Sequence, residues 1–423
     1  MNTKGWDTID LIKTESINQT LENKWNTFNK KFKGSDIEYN FFGEFAPFKI
    51  VNGGSNKLLR FSIPIKSGSL TIHNHESSDE SKGAEYDLTN SECVVEIMLD
   101  FFNAKNNQKQ LKINPVQFAK SKKDITDNQS NWITPIKFTG NCPDLYGNVM
   151  LELICKYLMD NPLQINQIFA SIMFSQNNCK WTTPVKCKYS YLDSTPSYMG
   201  ILSVCSKGKS SDLPIDIDLV SSKSNSENYF IISQELLNLN IIVPSLINLF
   251  ANSKTSDYKV NNHGSLVNTC NINMKGVKSG AITYYPIIKQ LEVSVLDDNI
   301  VINMNGTCNL KAGISMTFNG NVKIKPKFQN NTICFETIGT PTFKHDEEIP
   351  WYLNALLSPV INLITIIIIS CIDEDLTNSF MHTFSNGIKM DNISAVKWLE
   401  NTSDMKINNI QLNNSFIIEY NLK

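Results

Sequence analysis

Histidine and acidic side chains lie close together at His73-Asn74-His75, with Glu76 adjacent. If a strand continues through this tripeptide, both imidazoles point to one side, because alternate side chains share a face of a strand. A metal site needs at least a third ligand from elsewhere. The sequence indicates no such ligand, so we predict an exposed strand end and no metal centre.

The chain contains no recognisable arrangement for covalent or phosphoryl-transfer chemistry. The glycine-rich stretch 51–56 (VNGGSN) lacks the Lys-Ser/Thr ending of a phosphate-binding loop and is typical of a hairpin turn. No Gly-x-Ser-x-Gly nucleophile motif is present. Asp297-Asp298 and Asp373-Glu374-Asp375 lack the further oxygen ligands that a calcium loop supplies. We predict a protein that is not an enzyme and uses no cofactor, and a hydrolase on a β scaffold is the least favoured alternative.

Basic side chains cluster in one region, at Lys105, Lys109, Lys112, Lys120, Lys122 and Lys123. Such a cluster can contact anionic lipid headgroups, and a solvated loop is the alternative. The whole chain has 39 Lys and Arg against 41 Asp and Glu. This balance lacks the clustered basic surface that nucleic acids require, so we predict no nucleic-acid partner.

The elements that would position any site are organised around the apolar segment Trp351–Ile372, which carries no charged residue. Its length is sufficient for a membrane-spanning helix. Polar residues recur along it at helical spacing, on one stripe: Asn354, Ser358, Asn362 and Thr365. A helix facing lipid has no use for such a stripe, so we favour a helix enclosed in the protein and predict no transmembrane anchor. Ser358-Pro359 resembles a helix start, which would break or restart this helix.

The rest of the chain alternates between helices and groups of strands. Periodicity predicts helices over 6–33, 147–159 and 233–252, with Pro244 interrupting the last. The intervening stretches alternate polar and apolar residues between turn signals, as strands do. At 423 residues the chain exceeds the usual size of a single core. We predict a mostly β, α+β fold of two halves, 1–232 and 233–423, each with antiparallel strands rolled around long helices.

A loose fit between a long helix and a curved sheet leaves an elongated apolar cavity, which suits an acyl chain. A solid core is the alternative. We expect the following side chains to line this interior: Leu353, Leu356, Leu357, Val360, Ile364 and Ile367, with Ile241, Leu246 and Phe250 from the preceding helix.

Ten cysteines are scattered without any Cys-x-x-Cys pair, which favours reduced, buried thiols over a disulfide framework. The start of the chain has no basic region followed by an apolar core, so we predict no secretory signal peptide and synthesis in the cytoplasm.

Two stretches resemble a known family. The opening 2–9 (NTKGWDTI) and the block 229–246, beginning YFIISQEL, are similar to the OrfX-type and forty-seven-kilodalton proteins encoded beside clostridial botulinum neurotoxin genes. The resemblance implies the tubular lipid-binding superfamily, an accessory role in a toxin gene cluster, and release from the cell with the toxin. It implies phosphoinositide or other lipids and other OrfX-type proteins as partners, and it assigns no binding residue.

These observations lead to two functional hypotheses. The first is a non-enzymatic protein that binds lipid in its apolar interior. The second is a structural or assembly component that binds other OrfX-type proteins without lipid.

Overall fold

The computed structural model describes residues 3–35, 37–73, 83–113, 133–161, 168–174, 180–215, 228–250, 252–296, 298–310, 313–329, 332–347, 351–370, 375–387, 394–399 and 405–422. Its α-helices are α1 (Thr14–Asn23), α2 (Asp144–Asp160), α3 (Gln234–Leu237), α4 (Val243–Leu249), α5 (Trp351–Ser370) and α6 (Leu376–Gly387). Short 3-10 turns occupy Trp25–Thr27, Lys180–Thr182 and Thr255–Asp257.

Strands make up most of the structure. Those before the middle of the chain are β1 (Thr8–Lys13), β2 (Lys31–Ser35), β3 (Tyr39–Phe45), β4 (Lys49–Ser55), β5 (Leu58–Ile72), β6 (Ala84–Asp87), β7 (Ser91–Ala104), β8 (Gln108–Ile113), β9 (Ile133–Thr139), β10 (Ile168–Met173), β11 (Lys186–Leu192), β12 (Tyr198–Val204) and β13 (Asn228–Ser233). Those after it are β14 (Tyr258–Val260), β15 (Leu266–Asn268), β16 (Ile272–Asn273), β17 (Val277–Ser279), β18 (Ile282–Tyr284), β19 (Ile287–Leu296), β20 (Asn299–Asn309), β21 (Ser315–Gln329), β22 (Thr332–Thr337), β23 (Thr342–Glu347), β24 (Val396–Trp398), β25 (Met405–Leu412) and β26 (Ser415–Leu422).

The described strands form three large antiparallel sheets and the small hairpin β17-β18. A ten-stranded sheet has the order β2-β3-β5-β7-β8-β10-β24, with β4 and β6 paired to β5 and β9 paired to β7. An eight-stranded sheet has the order β14-β15-β19-β20-β21-β22, with β16 on β19 and β23 on β21. The prediction of a mostly β fold with antiparallel sheets and some helices is confirmed at this level.

A six-stranded sheet, β11-β12-β1-β13-β26-β25, joins the beginning, the middle and the end of the chain. Strand β1 lies near its centre, with Leu11 paired to Gly200 of β12 on one side and to Tyr229 of β13 on the other. The prediction of a helix over the whole of 6–33 is therefore wrong at both ends. Only α1 and the turn at Trp25 are helical there, and the flanking residues pair as β1 and β2.

The helix predicted over 233–252 is present as α3, a π-helical segment Asn238–Ile242, and α4. The Ser233 hydroxyl caps it by accepting a hydrogen bond from the Leu236 N–H at 3.2 Å. Pro244 has no N–H to donate to the turn before it, and the looser π-helical turn directly precedes it. In contrast, α5 runs through Pro359 without a break, so the predicted restart at Ser358 is not observed.

Apolar side chains collect in three clusters. One lies between the ten-stranded sheet, α1 and α2, and a second between the eight-stranded sheet and helices α3 to α6. The third is smaller and covers the other face of the six-stranded sheet, around Trp6. The six-stranded sheet contributes to the first cluster through Met199 and Ile201, and to the second through Phe230 and Ile418. It thus connects the two larger interiors.

Candidate functional site

The predicted interior residues lie together in the second cluster. Leu357, Val360, Ile364, Ile241, Leu246 and Phe250 are all buried there, and Ile367 is half-buried against it. Leu353 and Leu356 belong to α5, but their side chains lie outside the described part of the structure. The structure therefore brings most of the predicted set into one apolar environment, and ligand binding by this set stays a prediction.

A small cavity lies at the end of α5. Ile367 and Ile368 line it together with Met274, Val277 and Pro286, and its volume is about 100 Å³. Its remaining lining residues are polar: Lys275, Ser370 and Asp375. This cavity is smaller than the 300–1,000 Å³ or so that is usual for ligand pockets.

Helix α5 is less enclosed than its sequence predicts. Asn362 and Ser370 are exposed, and Ile366 between them is 62% exposed. The buried positions Leu357, Ile364 and Ile368 lie on the opposite face, at helical spacing. Thus α5 lies on the border of its cluster and presents one mixed face outward. No helix among the described residues is long and apolar enough to cross a membrane.

A second apolar cavity, which the sequence analysis did not nominate, lies inside the ten-stranded sheet. It is lined by twelve apolar side chains: Leu21, Trp25, Phe28, Phe48, Phe61, Ile63, Val95, Ile97, Ile113, Ile133, Leu158 and Phe169. Aromatic rings form much of the wall, with Trp25 against Phe48 at 5.0 Å and Phe61 against Phe169 at 6.0 Å between ring centroids. Among the described residues no charged or polar side chain lines it, so an apolar group fits its chemistry.

The volume of this cavity is about 20 Å³, roughly the space that one water molecule needs. An acyl chain therefore enters only if the lining side chains separate. A sequence signal for the site was available, because Leu21, Trp25 and Phe28 belong to the apolar periodicity of the first predicted helix. Their partners on strands were not foreseeable from local spacing.

The two sequence blocks that carry the family resemblance are neighbours in space. Strands β1 and β13 pair in register, with Thr8 opposite Ile232. Before β1, the backbone turns at Gly5, whose φ of 93° favours glycine. This turn places Trp6 in the third cluster, where its indole N–H donates to the Pro214 carbonyl at 2.7 Å.

Asp7 anchors the same region electrostatically. Its buried carboxylate accepts the backbone N–H groups of Cys205 and Ser206 at 2.8 and 2.9 Å, and the Lys209 ammonium lies 2.5 Å away. Lys209 also contacts Glu235 in the first turn of α3, at 3.1 Å. Burial lowers the pKa of Lys209, but the hydrogen bonds and charges of Asp7 and Glu235 more than offset this, and its pKa is raised. These residues therefore connect the chain start to a helix more than two hundred positions later.

Asp10 is a buried carboxylate that joins the two ends of the chain. It accepts hydrogen bonds from Trp398 Nε1 at 2.6 Å, from the Tyr420 hydroxyl at 2.8 Å, and from Ser394 Oγ. Burial raises the pKa of Asp10 to about 6, although these three hydrogen bonds act in the opposite direction.

The histidine and lysine candidates from the sequence analysis do not form a catalytic or metal site among the described residues. His73 contacts Asn40 through its ring nitrogen Nε2 at 2.8 Å, and His75 lies outside the described residues. Lys109 and Lys112 lie over the rings of Phe174 and Phe102, whereas Lys120, Lys122 and Lys123 also fall outside. Within the described ranges no group of three His, Cys, Asp or Glu side chains is placed to hold a metal.

The reduced state of the thiols stays a prediction, and the structure gives their burial. The eight in the described part of the chain are free, and four of them are buried. Burial raises the thiol pKa of Cys155 and of Cys187 to about 12, which keeps both in the unreactive protonated form at neutral pH.

Comparison with known proteins identifies the family to which this chain belongs. A family model described as OrfX-like, "Protein OrfX2/OrfX3/P47", matches residues 3–344. The chain belongs to the OrfX-like family. This membership confirms the resemblance seen in residues 2–9 and 229–246.

Similar relatives of this OrfX-like protein cover its whole length. Protein P47 of Clostridium botulinum (strain Kyoto / Type A2) is 28% identical over 445 residues, with 100% of both chains covered. The structure of P47 from C. botulinum A2 superposes with a TM-score of 0.77 at 26% identity, covering 100% of this chain and 98% of that one. P47 of C. botulinum E1 shares the fold, with a TM-score of 0.75 at 24% identity and full coverage of both chains.

Proposed function

We propose that this OrfX-like protein is a non-enzymatic accessory protein of a neurotoxin gene cluster that binds lipid in an apolar interior. The observation that carries the proposal is the cavity inside the ten-stranded sheet, whose twelve lining side chains are all apolar. Acyl chains match such a surface, because each buried methylene contributes about 0.8 kcal/mol. A hydrolase would need a nucleophile and a base beside the cavity, and the twelve described lining residues include neither.

Binding would separate the face of α1 and the turn after it from the sheet. Leu21, Trp25 and Phe28 lie on that side of the cavity, and Phe61 and Val95 on the sheet side. Asn18 holds α1 to β4 by donating to the Ile50 carbonyl at 2.9 Å and accepting the Ile50 N–H at 2.7 Å. This pair of hydrogen bonds would act as a hinge point while the lining residues move apart.

The interior around α5 is the second location for lipid. Leu353, Leu356, Leu357, Val360, Ile364, Ile367, Ile241, Leu246 and Phe250 form the predicted lining there, and the cavity at Ile367 supports this location. It has more free volume than the first cavity, but Lys275, Ser370 and Asp375 make its lining partly polar. We therefore propose the cavity at Trp25 as the main site for the acyl chain.

Brominated acyl chains quench nearby tryptophans and can distinguish the two locations. The purified protein would be extracted for bound lipid, then titrated with vesicles and fatty acids carrying brominated chains. Occupancy of the first cavity predicts quenching that is lost in Trp25→Phe and retained in Trp181→Phe, since Trp181 packs against the second cluster, which contains α5. The reverse result would move the site to α5. No extracted lipid and no quenching in the parent protein would refute lipid binding.

The second candidate function is an assembly component that binds other OrfX-type proteins without lipid. A groove of about 1,030 Å³ on the outer face of the ten-stranded sheet favours it. Phe42 lies in this groove and is 58% exposed, between Lys33 and Glu44 on the groove wall. Co-purification with OrfX-type partners after complete delipidation, and its loss in Phe42→Ser, would support this function over the first.

The finer features of the prediction belong to the same proposal. We propose rolled sheets around helices, as in the tubular lipid-binding superfamily, and two halves that divide near residue 232. Phosphoinositides are the first lipids to test. We also propose that the protein is made in the cytoplasm and released with the toxin, which immunodetection of culture medium and cell fractions would check.

A further inference from the structure

The outer face of the eight-stranded sheet contains a trough that the apolar interiors do not explain. Its volume is about 550 Å³, within the range of roughly 300–1,000 Å³ that ligand sites occupy. Carboxamide side chains dominate its lining, and we call it the carboxamide trough. Its lining residues are Val267, Asn268, Gln290, Leu291, Glu292, Asn303, Met304, Asn305, Asn319, Gly320, Asn321, Thr342 and Lys344.

Strand register places the central carboxamides side by side. Asn303 and Asn305 lie two residues apart on β20 and therefore point to the same face. Their partners on β21 are Asn321 and Asn319 respectively, which gives a block of four asparagines. Gln290 of β19 extends the block, because it pairs with Asn305. The alternate residues of these strands enter the apolar core, so the block belongs to the solvent side.

Two hydrogen bonds organise this block into pairs. Asn305 Nδ2 donates to Gln290 Oε1 at 2.6 Å, and Asn321 Nδ2 donates to Asn303 Oδ1 at 2.5 Å. Each pair uses one donor and one acceptor internally, whichever way the amides are oriented. Within the described residues these four side chains make no other hydrogen bond. Each pair therefore presents an amide N–H and an amide carbonyl, fixed side by side, to a ligand.

The described lining of the trough carries almost no net charge. Glu292 and Lys344 are its charged lining residues, and their charges cancel. The outward positions of β21 beyond the block are lysines, beginning at Lys323 and Lys325, and neither lines the trough. A polyanion would gain little here, because it needs several clustered cations.

We propose that the carboxamide trough binds a neutral oligosaccharide. Adjacent hydroxyl groups on a sugar ring donate and accept hydrogen bonds at neighbouring positions, which matches the paired N–H and carbonyl groups. The fixed orientation of each pair reduces the entropy that binding must overcome. The absence of net charge in the trough selects uncharged sugars over sialylated or sulfated ones.

Asparagine is abundant throughout this chain, so the test must distinguish binding by the asparagines of the trough from binding by asparagines elsewhere on the surface. The full-length protein would be screened on a glycan array, and neutral hits such as lactose-, maltose- or cellobiose-type oligosaccharides would be measured by saturation-transfer NMR and calorimetry. The variant Asn303→Ala/Asn321→Ala removes one pair, and Asn273→Ala removes an exposed asparagine of the same sheet outside the trough. Melting temperatures of all variants would be compared first.

We expect binding of a neutral oligosaccharide that is insensitive to added salt. Loss of one pair should weaken it about tenfold, the effect of one or two hydrogen bonds, and Asn273→Ala should leave it unchanged. The proposal is overturned if no neutral glycan binds, if only charged glycans bind, or if the double variant binds as well as the parent. Lipid binding in the interior is measured separately, so either proposal can fail without the other.

Discussion

At the scale of single residues, the buried acids Asp7 and Asp10 connect the start of the chain to distant segments of this fold. Both lie on or beside β1, and each has a different set of partners. Asp7 is compensated by Lys209 and two backbone N–H groups. Asp10 receives three hydrogen bonds, but the effect of burial is larger and raises its pKa to about 6. Ionisation of Asp10 therefore lowers the stability of the fold. The negative charge of Asp7, in contrast, is compensated by the Lys209 ammonium.

Asp10→Asn is expected to remove a specific pH dependence of stability. The folded pKa of about 6 lies above the unfolded value of 3.8. The native carboxyl therefore contributes stability that is present below pH 4 or so and is lost as the pH rises through 6. Relative to the asparagine variant, the parent should gain roughly 2 kcal/mol between pH 7 and pH 4. Urea denaturation of both proteins across this range measures the difference.

Asparagine is a suitable replacement because its carbonyl can accept from Trp398 and Tyr420 while its amide donates to Ser394. A stability difference between the two proteins that stays constant from pH 7 to pH 4 would contradict the assignment.

At the scale of elements, α5 shows how one helix can serve two environments. Its buried stripe packs into the second cluster, and its opposite face carries the exposed Asn362 and Ile366. The sequence favoured full enclosure, because the segment carries no charge and its polar stripe does not suit contact with lipid. The outer apolar positions are simply tolerated on the surface, as single exposed apolar residues commonly are.

The two faces of α5 predict opposite effects of truncation to alanine. Leu357 is 2% exposed and packs in the second cluster, so Leu357→Ala should lower the free energy of unfolding by about 2–5 kcal/mol. Ile366→Ala is the matched control and should change it by about 0.5 kcal/mol or less. Chemical denaturation measures both. A small effect of Leu357→Ala would indicate that free space, not packed side chains, surrounds it.

At the scale of the whole molecule, the six-stranded sheet is the feature that unites the chain. Four of its strands begin before residue 232, and β25 and β26 come from the end of the sequence. The late strand β24 also pairs with β10 in the ten-stranded sheet. The proposed halves therefore share strands, although each has a large core of its own.

Separate expression of residues 1–232 and 233–423 should give fragments that do not fold alone. The first lacks β26 beside β13, and the second carries β26 with an apolar face and an open edge, which favours aggregation. Co-expression should restore a complex with one cooperative thermal transition, which we also expect of the intact chain. Calorimetry and circular dichroism check this, and independent cooperative melting of either fragment would show that the shared sheet is dispensable.

Sequence periodicity located the helices with one face against a core, such as α2 and the segment from Ser233, because an amphipathic helix repeats its apolar residues every three or four positions. It failed for Thr8–Lys13, where neighbouring strands and the two covering clusters bury both faces. A strand buried on both sides has no alternation to detect. The cavity at Trp25 was missed for a related reason, since its lining comes from eight separate stretches of the chain.

The sequence by itself determined the mostly β class and the family, because these depend on residue types and local spacing. Only the tertiary structure decided that β1 lies at the centre of a shared sheet, that Asp10 meets Trp398 and Tyr420, and that asparagines align on β20 and β21. Those arrangements depend on strand register between distant segments, and register is set by the packing of whole faces against a core.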